Sequence, residues 1–361
     1  MLIVVEPLEA GSHDDPGHPE RPARIGAAMR GVEDLRLGTD LVVVGARPAP
    51  VERLVRVHTP DHLDWLERLS ASGGGAIDQD TYASHTSWND ARMAAGAGLV
   101  AVEAATVHGA PVFVPARPPG HHAVADRAMG FCLLNNVAVT AGALRDVGER
   151  VLIVDWDVHH GNGTQDVFWD DPDVLYVSTH QWPAYPGTGR ADEVGGPSAR
   201  GATVNVPLPA GATGDVVRRA FDEIVTPAVE AFAPSWVLVS AGFDAHRADP
   251  LADLGLSAGD FGALTGIVAG YAPGPGRLVL FLEGGYDLEA LRSSVAATLG
   301  QLVGAVPGDE SPTSGGPGSE HVAAAASRRR GALDRDRVPP PEPDGTVPAS
   351  GDRGRREDTA R

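Results

Sequence analysis

The chain has 361 residues, 42% of them hydrophobic and 21% charged, a balance that fits a globular protein with one large core. A formal net charge of −19 argues against nucleic-acid binding and fits solubility or cationic ligands. With one cysteine, Cys132, neither an internal disulfide framework nor a cysteine-rich zinc module can form, so a metal would have to sit on His and Asp.

The first segment, MLIVVEPLEAG, has no basic stretch ahead of its apolar run and reads as a strand rather than a secretion signal, so the expectation is cytoplasmic. Short apolar runs of strand type then recur: LVVVG, VFVP, VLIVD, VLYVS, TVNVPL, WVLVS and LVLFLEGG. Most are apolar without alternation, as strands covered on both faces are. Ala-rich stretches such as SWNDARMAAGAGLVAVEAATVHG lie between several of them with helical spacing. The reading is an α/β fold in three layers, a parallel sheet between helices. No apolar run approaches the roughly 20 residues of a membrane span. From Val306 the composition turns to Pro, Gly, Ser, Arg and Asp. The predicted organisation is therefore a catalytic domain over 1–305 and a disordered tail over 306–361 that folding does not require. All basic residues are Arg, which with the abundant Ala, Gly and Pro suggests a GC-rich bacterial genome.

Chemistry gathers where the strands end. VLIV runs into Asp155, Asp157 and His159; WVLVSAGF into Asp244; LVLFLEGG into Tyr286; VFVPARPPG into His121 and His122. In open α/β sheets ligands bind beyond the carboxyl ends of the strands, so four strand ends offer these groups to one rim. Residues spaced by two along an extended segment point to one side, which lets Asp157 and His159 share a cation. Two carboxylates and an imidazole suit a catalytic zinc site with an open position for water. Any one of these residues alone is better read as a helix cap or a hydrogen-bonded structural histidine; the conjunction favours a site.

The motifs GHPERPARI, RPPGHHA, GFCLLNNVA, DWDVHHGNGTQ, YPGTG, SAGFDAH, DPLADLGLS and LEGGY, in this order, resemble the zinc-dependent histone deacetylase superfamily over about residues 1–300. The likeness is greatest to its class II and bacterial members, which include acetylpolyamine amidohydrolases. It implies the arginase/deacetylase fold, with an eight-stranded, mostly parallel sheet. It makes Asp157, His159 and Asp244 zinc ligands, His121 and His122 the catalytic pair, Asp155 and Asn162 their partners, and Tyr286 the hydroxyl that polarises the amide carbonyl. It assigns a structural K+ or Na+ to Asp155, Asp157, His159, Ser178 and Thr179, and sets Phe168 where the family offers a carbonyl to a second cation. Phe131 and Tyr185 match the aromatic walls of the substrate tunnel, with Gly130 and Gly285 beside it and Asp80 as a candidate rim carboxylate.

The expected reaction releases acetate and a free amine from acetyl-lysine in proteins or peptides. Leu251 stands where eukaryotic polyamine-specific members carry Glu, and the chain lacks the long insertion after STH of bacterial polyamine deacetylases. Both features favour lysine; acetylpolyamines and other small acyl amines are the alternative. A binuclear manganese ureohydrolase would need a carboxylate two residues beyond Asp244, where this chain has His246. An acyl-binding protein without activity would often lack the tyrosine that is present here as Tyr286.

Overall fold

The structure, a computed structural model, describes residues 1–6, 13–305 and 310–334. Its ten strands are β1 (Leu2–Glu6), β2 (Leu41–Gly45), β3 (Gly74–Ala76), β4 (Tyr82–Ser84), β5 (Val112–Val114), β6 (Val151–Asp155), β7 (Val174–Gln181), β8 (Thr203–Leu208), β9 (Trp236–Ala241) and β10 (Leu278–Leu282). Eight of them form one sheet in the order β2-β1-β5-β10-β9-β6-β7-β8, with every pairing parallel. These are the eight apolar runs legible in the sequence, in the three-layer deacetylase arrangement expected from it.

The continuous apolar character of the strands has a direct structural cause. Side chains alternate between faces, and both faces are covered. Leu152 and Val154 of β6 join one core with Leu2, Val4, Phe261, Leu291 and Val295. Val151 and Ile153 join the other with Ile3, Val5, Ala94 and Val137. The helices Ala23–Asp34, Ala258–Ala269 and Leu288–Val303 pack together over the first face, and Ser87–His108 with Asn136–Arg145 over the second. Gly98 lets the long helix sit close, since a Cβ there would lie 2.0 Å from Thr140 Oγ1. Among the described residues no helix is long and apolar enough to cross a membrane.

The expectation of a disordered tail from Val306 is corrected over residues 310–334. Glu310 accepts hydrogen bonds from the Ala258 amide and from Arg247, and its carboxylate lies 3.0 Å from His246 Nε2. Thr313 Oγ1 donates to Asp260 at 2.6 Å. The helix Ser319–Asp334 then lies against β8, burying Val322, Ala325, Ala326, Arg329 and Ala332. Composition hid this docking because the segment attaches through polar side chains and small methyl groups rather than a stripe of large apolar residues. The remainder of the expected tail, 306–309 and 335–361, lies outside the described residues.

Candidate active site

Strand order decides where the chemistry meets. β5, β10, β9 and β6 are consecutive in the sheet and parallel, so their carboxyl ends lie side by side. The four polar motifs leave from those ends and are therefore brought to one place.

Beyond β6 and β9, ligand atoms of Asp157, His159 and Asp244 lie within 4.8 Å of one another. His159 Nδ1 is 3.1 Å from Asp157 Oδ1 and 3.2 Å from Asp244 Oδ2. Both acids are buried, and burial and then the neighbouring Asp157 raise Asp244 to about 7. Burial opposes a charge on His159, yet the two carboxylates outweigh it and raise its imidazole to about 10. The pair thus draws a positive charge to this point, either a proton on His159 or a cation. Gly284 keeps the space beside it open: a Cβ there would sit 2.0 Å from Asp244 Oδ2 and 2.6 Å from Asp157 Oδ2. Two oxygens and one nitrogen converging in a buried cradle fit a zinc-type ion with an open coordination position.

His121 and His122 lie next to this cluster, ring centroids 4.0 Å apart, in opposite electrostatic settings. His121 Nδ1 donates to Asp155 Oδ2 at 3.0 Å; burial disfavours its charge, but Asp155 and then Asp157 raise it to about 10. His122 Nδ1 donates instead to the neutral Asn162 Oδ1 at 2.8 Å. Burial, then the positive His121 and His159, push it well below its ordinary value. A cationic imidazole and a neutral one therefore stand side by side, and the neutral His122 has Nε2 available to take a proton.

Tyr286 is held at the junction of β10 and the helix Leu288–Val303, whose first turn is capped by Asp287. Its amide donates to Asp249 Oδ2 at 2.7 Å. Burial pushes its hydroxyl well above the ordinary value, so it stays a donor at neutral pH. Phe131 meets its ring edge-on at 5.7 Å, and Tyr185 meets His122 edge-on at 5.1 Å. Gly130 occupies the narrow place between, with φ +56 and only 2.5 Å from a virtual Cβ to His122 Cδ2. Gly285, at φ +116, turns the chain before Tyr286. Tyr185 and Leu251 remain 39% and 42% exposed. Asp80 lies on the loop between β3 and β4; its carbonyl accepts from His18, whose ring meets Phe131 at 4.7 Å.

The residues expected to hold a monovalent cation begin at the register pair Asp155 and Ser178, with Thr179 next on β7. All three are buried, as is Phe168. His246 faces Glu310 rather than a second carboxylate of the site, which leaves the ureohydrolase arrangement without its extra ligand.

A model of the histone deacetylase domain matches residues 18–302. The chain belongs to the histone deacetylase family. It is 41% identical over 317 residues to histone deacetylase 10, chloroplastic, of rice, covering 82% of this chain and 72% of that one. It is 40% identical over 289 residues to a histone deacetylase-like amidohydrolase of Pseudomonas aeruginosa, covering 78% and 75% respectively. The solved HDA15 HD domain superposes with a TM-score of 0.82 at 34% identity, over 92% of this chain and 94% of that one. The chain is thus a hydrolase of the deacetylase type.

The deacetylase site also uses residues that the sequence reading left unassigned. Glu283 accepts from the Gly120 amide at 2.7 Å, the His121 amide at 3.2 Å and Ser240 Oγ at 3.1 Å, tying the histidine turn to β9 and β10. Arg24 donates to the carbonyls of Gly285 and Glu283 and lies 4.9 Å over the Tyr286 ring. Glu20 pairs with Arg24 at 3.1 Å and Arg117 at 2.8 Å, all three buried. The signal was present, since Glu20 and Arg24 stand in GHPERPARI, Arg117 in ARPPGHH and Glu283 in LEGGY. What the sequence could not show is that Glu20 pairs with both arginines behind the tyrosine.

Proposed function

We propose that this deacetylase is zinc-dependent and hydrolyses the acetamide of acetyl-lysine in proteins or peptides. Asp157, His159 and Asp244 would hold the zinc, which when bound supplies Lewis-acid polarisation of the carbonyl and acidifies water. His122, neutral and fixed through Asn162, accepts the proton from the attacking water and returns it to the leaving amine. His121, kept positive by Asp155, supports negative charge developing on the acyl oxygen, and the Tyr286 hydroxyl donates to that oxygen. Asp155, Asp157, His159, Ser178 and Thr179 are assigned to a structural K+ or Na+ beneath the site.

The observation that carries the lysine reading is the placing of the aromatic rings beside His122 and Tyr286. Phe131 and Tyr185 sit against Tyr286 and His122, and an uncharged leucine, Leu251, stands at the exposed rim. An aliphatic lysine stem gains by passing between aromatic rings, whereas a polyamine would bring ammonium groups to an apolar side chain. The test is a deacylation screen of acetyl-lysine peptides, acetylpolyamines and longer acyl-lysines under one condition. Acetyl-lysine peptides should show the highest kcat/KM; preference for an acetylpolyamine would replace the lysine reading with the small-amine one.

A further inference from the structure

A buried positive charge at the far end of the sheet has no acidic partner among the described residues. Arg329, on the helix Ser319–Asp334, is 9% exposed and donates to the carbonyls of Thr203 and Gly201. Among the described residues no carboxylate lies within ion-pair distance of it. In a chain of net charge −19 that is an unusual omission. Neutral carbonyls satisfy its donors but do not neutralise its charge, and an uncompensated buried charge is costly. Burial accordingly lowers the guanidinium to about 10.

Arg329 lines a cavity of about 770 Å³ whose walls also carry Arg330, Arg200 and Arg150, the last already paired with Asp173 at 3.0 Å. The one acid in its lining, Glu223, is already paired with Arg219 at 2.6 Å. The other wall is apolar, with Ile224, Ala228 and Phe232. Arg150 precedes β6 and the loop Ser198–Ala202 precedes β8, so the cavity opens at the amino ends of the strands, opposite the rim that holds His122 and Tyr286. Part of its wall comes from a helix beyond residues 18–302, the span matched by the family domain.

We propose that this cavity binds an amphipathic anion, a carboxylate or phosphate headgroup on a short aliphatic body, with the headgroup at Arg329 and Arg330 and the body against Ile224, Ala228 and Phe232. Its volume falls in the range of small-ligand sites, roughly 300–1,000 Å³, and its lining has their usual form of an apolar wall with a few convergent polar groups. A guanidinium is suited to either headgroup because its planar donors match two oxygens at once.

The test is calorimetric titration of the full-length protein at constant ionic strength with octanoate, octyl phosphate and inorganic phosphate. Octanoate and octyl phosphate separate the two headgroups, and saturable binding of at least one is expected. Inorganic phosphate, lacking the body, should bind weaker by about tenfold or more. Arg329→Met should weaken the amphiphiles by about tenfold or more. Because Arg329 also anchors its helix, Ala228→Glu provides the second variant: it keeps Arg329 and places a carboxylate on the apolar wall. That change should abolish binding while deacetylation of an acetylated peptide continues at the wild-type rate. The absence of saturable binding, phosphate binding as tightly as the amphiphiles, or binding that survives Ala228→Glu and competes with acetylated substrate would each overturn the proposal.

Discussion

The two ends of the sheet handle buried charge in different ways. At the carboxyl ends of β5, β6, β9 and β10, acids and histidines are interleaved, so each imidazole has a carboxylate or an amide oxygen against it. At the amino ends of β7 and β8, Arg329 enters with carbonyls as its partners among the described residues and a cavity beside it. The first arrangement tunes neighbouring groups apart in proton affinity, which acid-base chemistry requires. The second leaves one sign of charge uncancelled, which suits holding an ion and not moving a proton.

The sharpest way to break the catalytic side of this contrast is Tyr286→Phe. The hydroxyl belongs to no ligand set, so metal content should equal wild type while kcat falls by about 100-fold to 1000-fold, the usual cost of one lost oxyanion donor. Turnover close to wild type on an unactivated acetamide would remove Tyr286 from its role.

The non-catalytic side breaks through truncation after Ala305. The deleted residues include Val322 and three buried alanines that pack on β8 and its surroundings. Their burial contributes on the order of 3 kcal/mol, so the truncated chain should unfold at clearly lower denaturant or fail to remain soluble. An unchanged unfolding midpoint would show that the helix rests on the domain without stabilising it.

This segment also marks the limit of what the sequence made legible. The eight strands could be read because each is an apolar run buried on both faces, and Asp157, His159, Asp244, His121, His122 and Tyr286 because polar residues at the ends of such runs stand out. In SEHVAAAASRRRGALD the contrast is missing: its buried face is mostly alanine with one valine, and its anchor is an arginine. The same holds for Glu283 and Arg24, whose roles depend in part on partners more than 160 residues away in the chain.

A third test asks whether the interior tolerates protons away from the site. His58 Nδ1 donates to the Val124 carbonyl and its Nε2 accepts from the Asn135 amide, which requires a neutral ring. Burial holds His58 at about 3 and His13 at about 4, below the ordinary 6.5. Between those values and 6.5 the unfolded chain binds protons that the folded chain does not, so stability falls as pH drops through that window. The loss is about 1.4 kcal/mol per pH unit for each histidine, until its folded value is reached. Urea unfolding between pH 7 and pH 5 measures the slope. In His58→Gln, where an amide can both donate and accept, the slope should be shallower by one histidine's share; an identical slope would assign the acid sensitivity elsewhere.

The smallest effect concerns the rim and separates the two substrate readings. Leu251 is 42% exposed, and its amide donates to Asp249, the same acid that accepts from the Tyr286 amide. Position 251 is thus tied to Tyr286 by backbone geometry while its side chain stays wet. Leu251→Glu should leave that geometry in place and add a carboxylate near the entrance. A solvated ion pair contributes about 1 kcal/mol or less, so the ratio of kcat/KM for acetylspermidine over an acetyl-lysine peptide should rise by up to about fivefold. Salt should erode the gain, because the added charge is screened over about 10 Å at 0.1 M ionic strength. An unchanged ratio would remove Leu251 as the determinant. A wild type that already prefers acetylspermidine would mean that the acidic residues elsewhere around the entrance, Asp80 among them, outweigh the leucine.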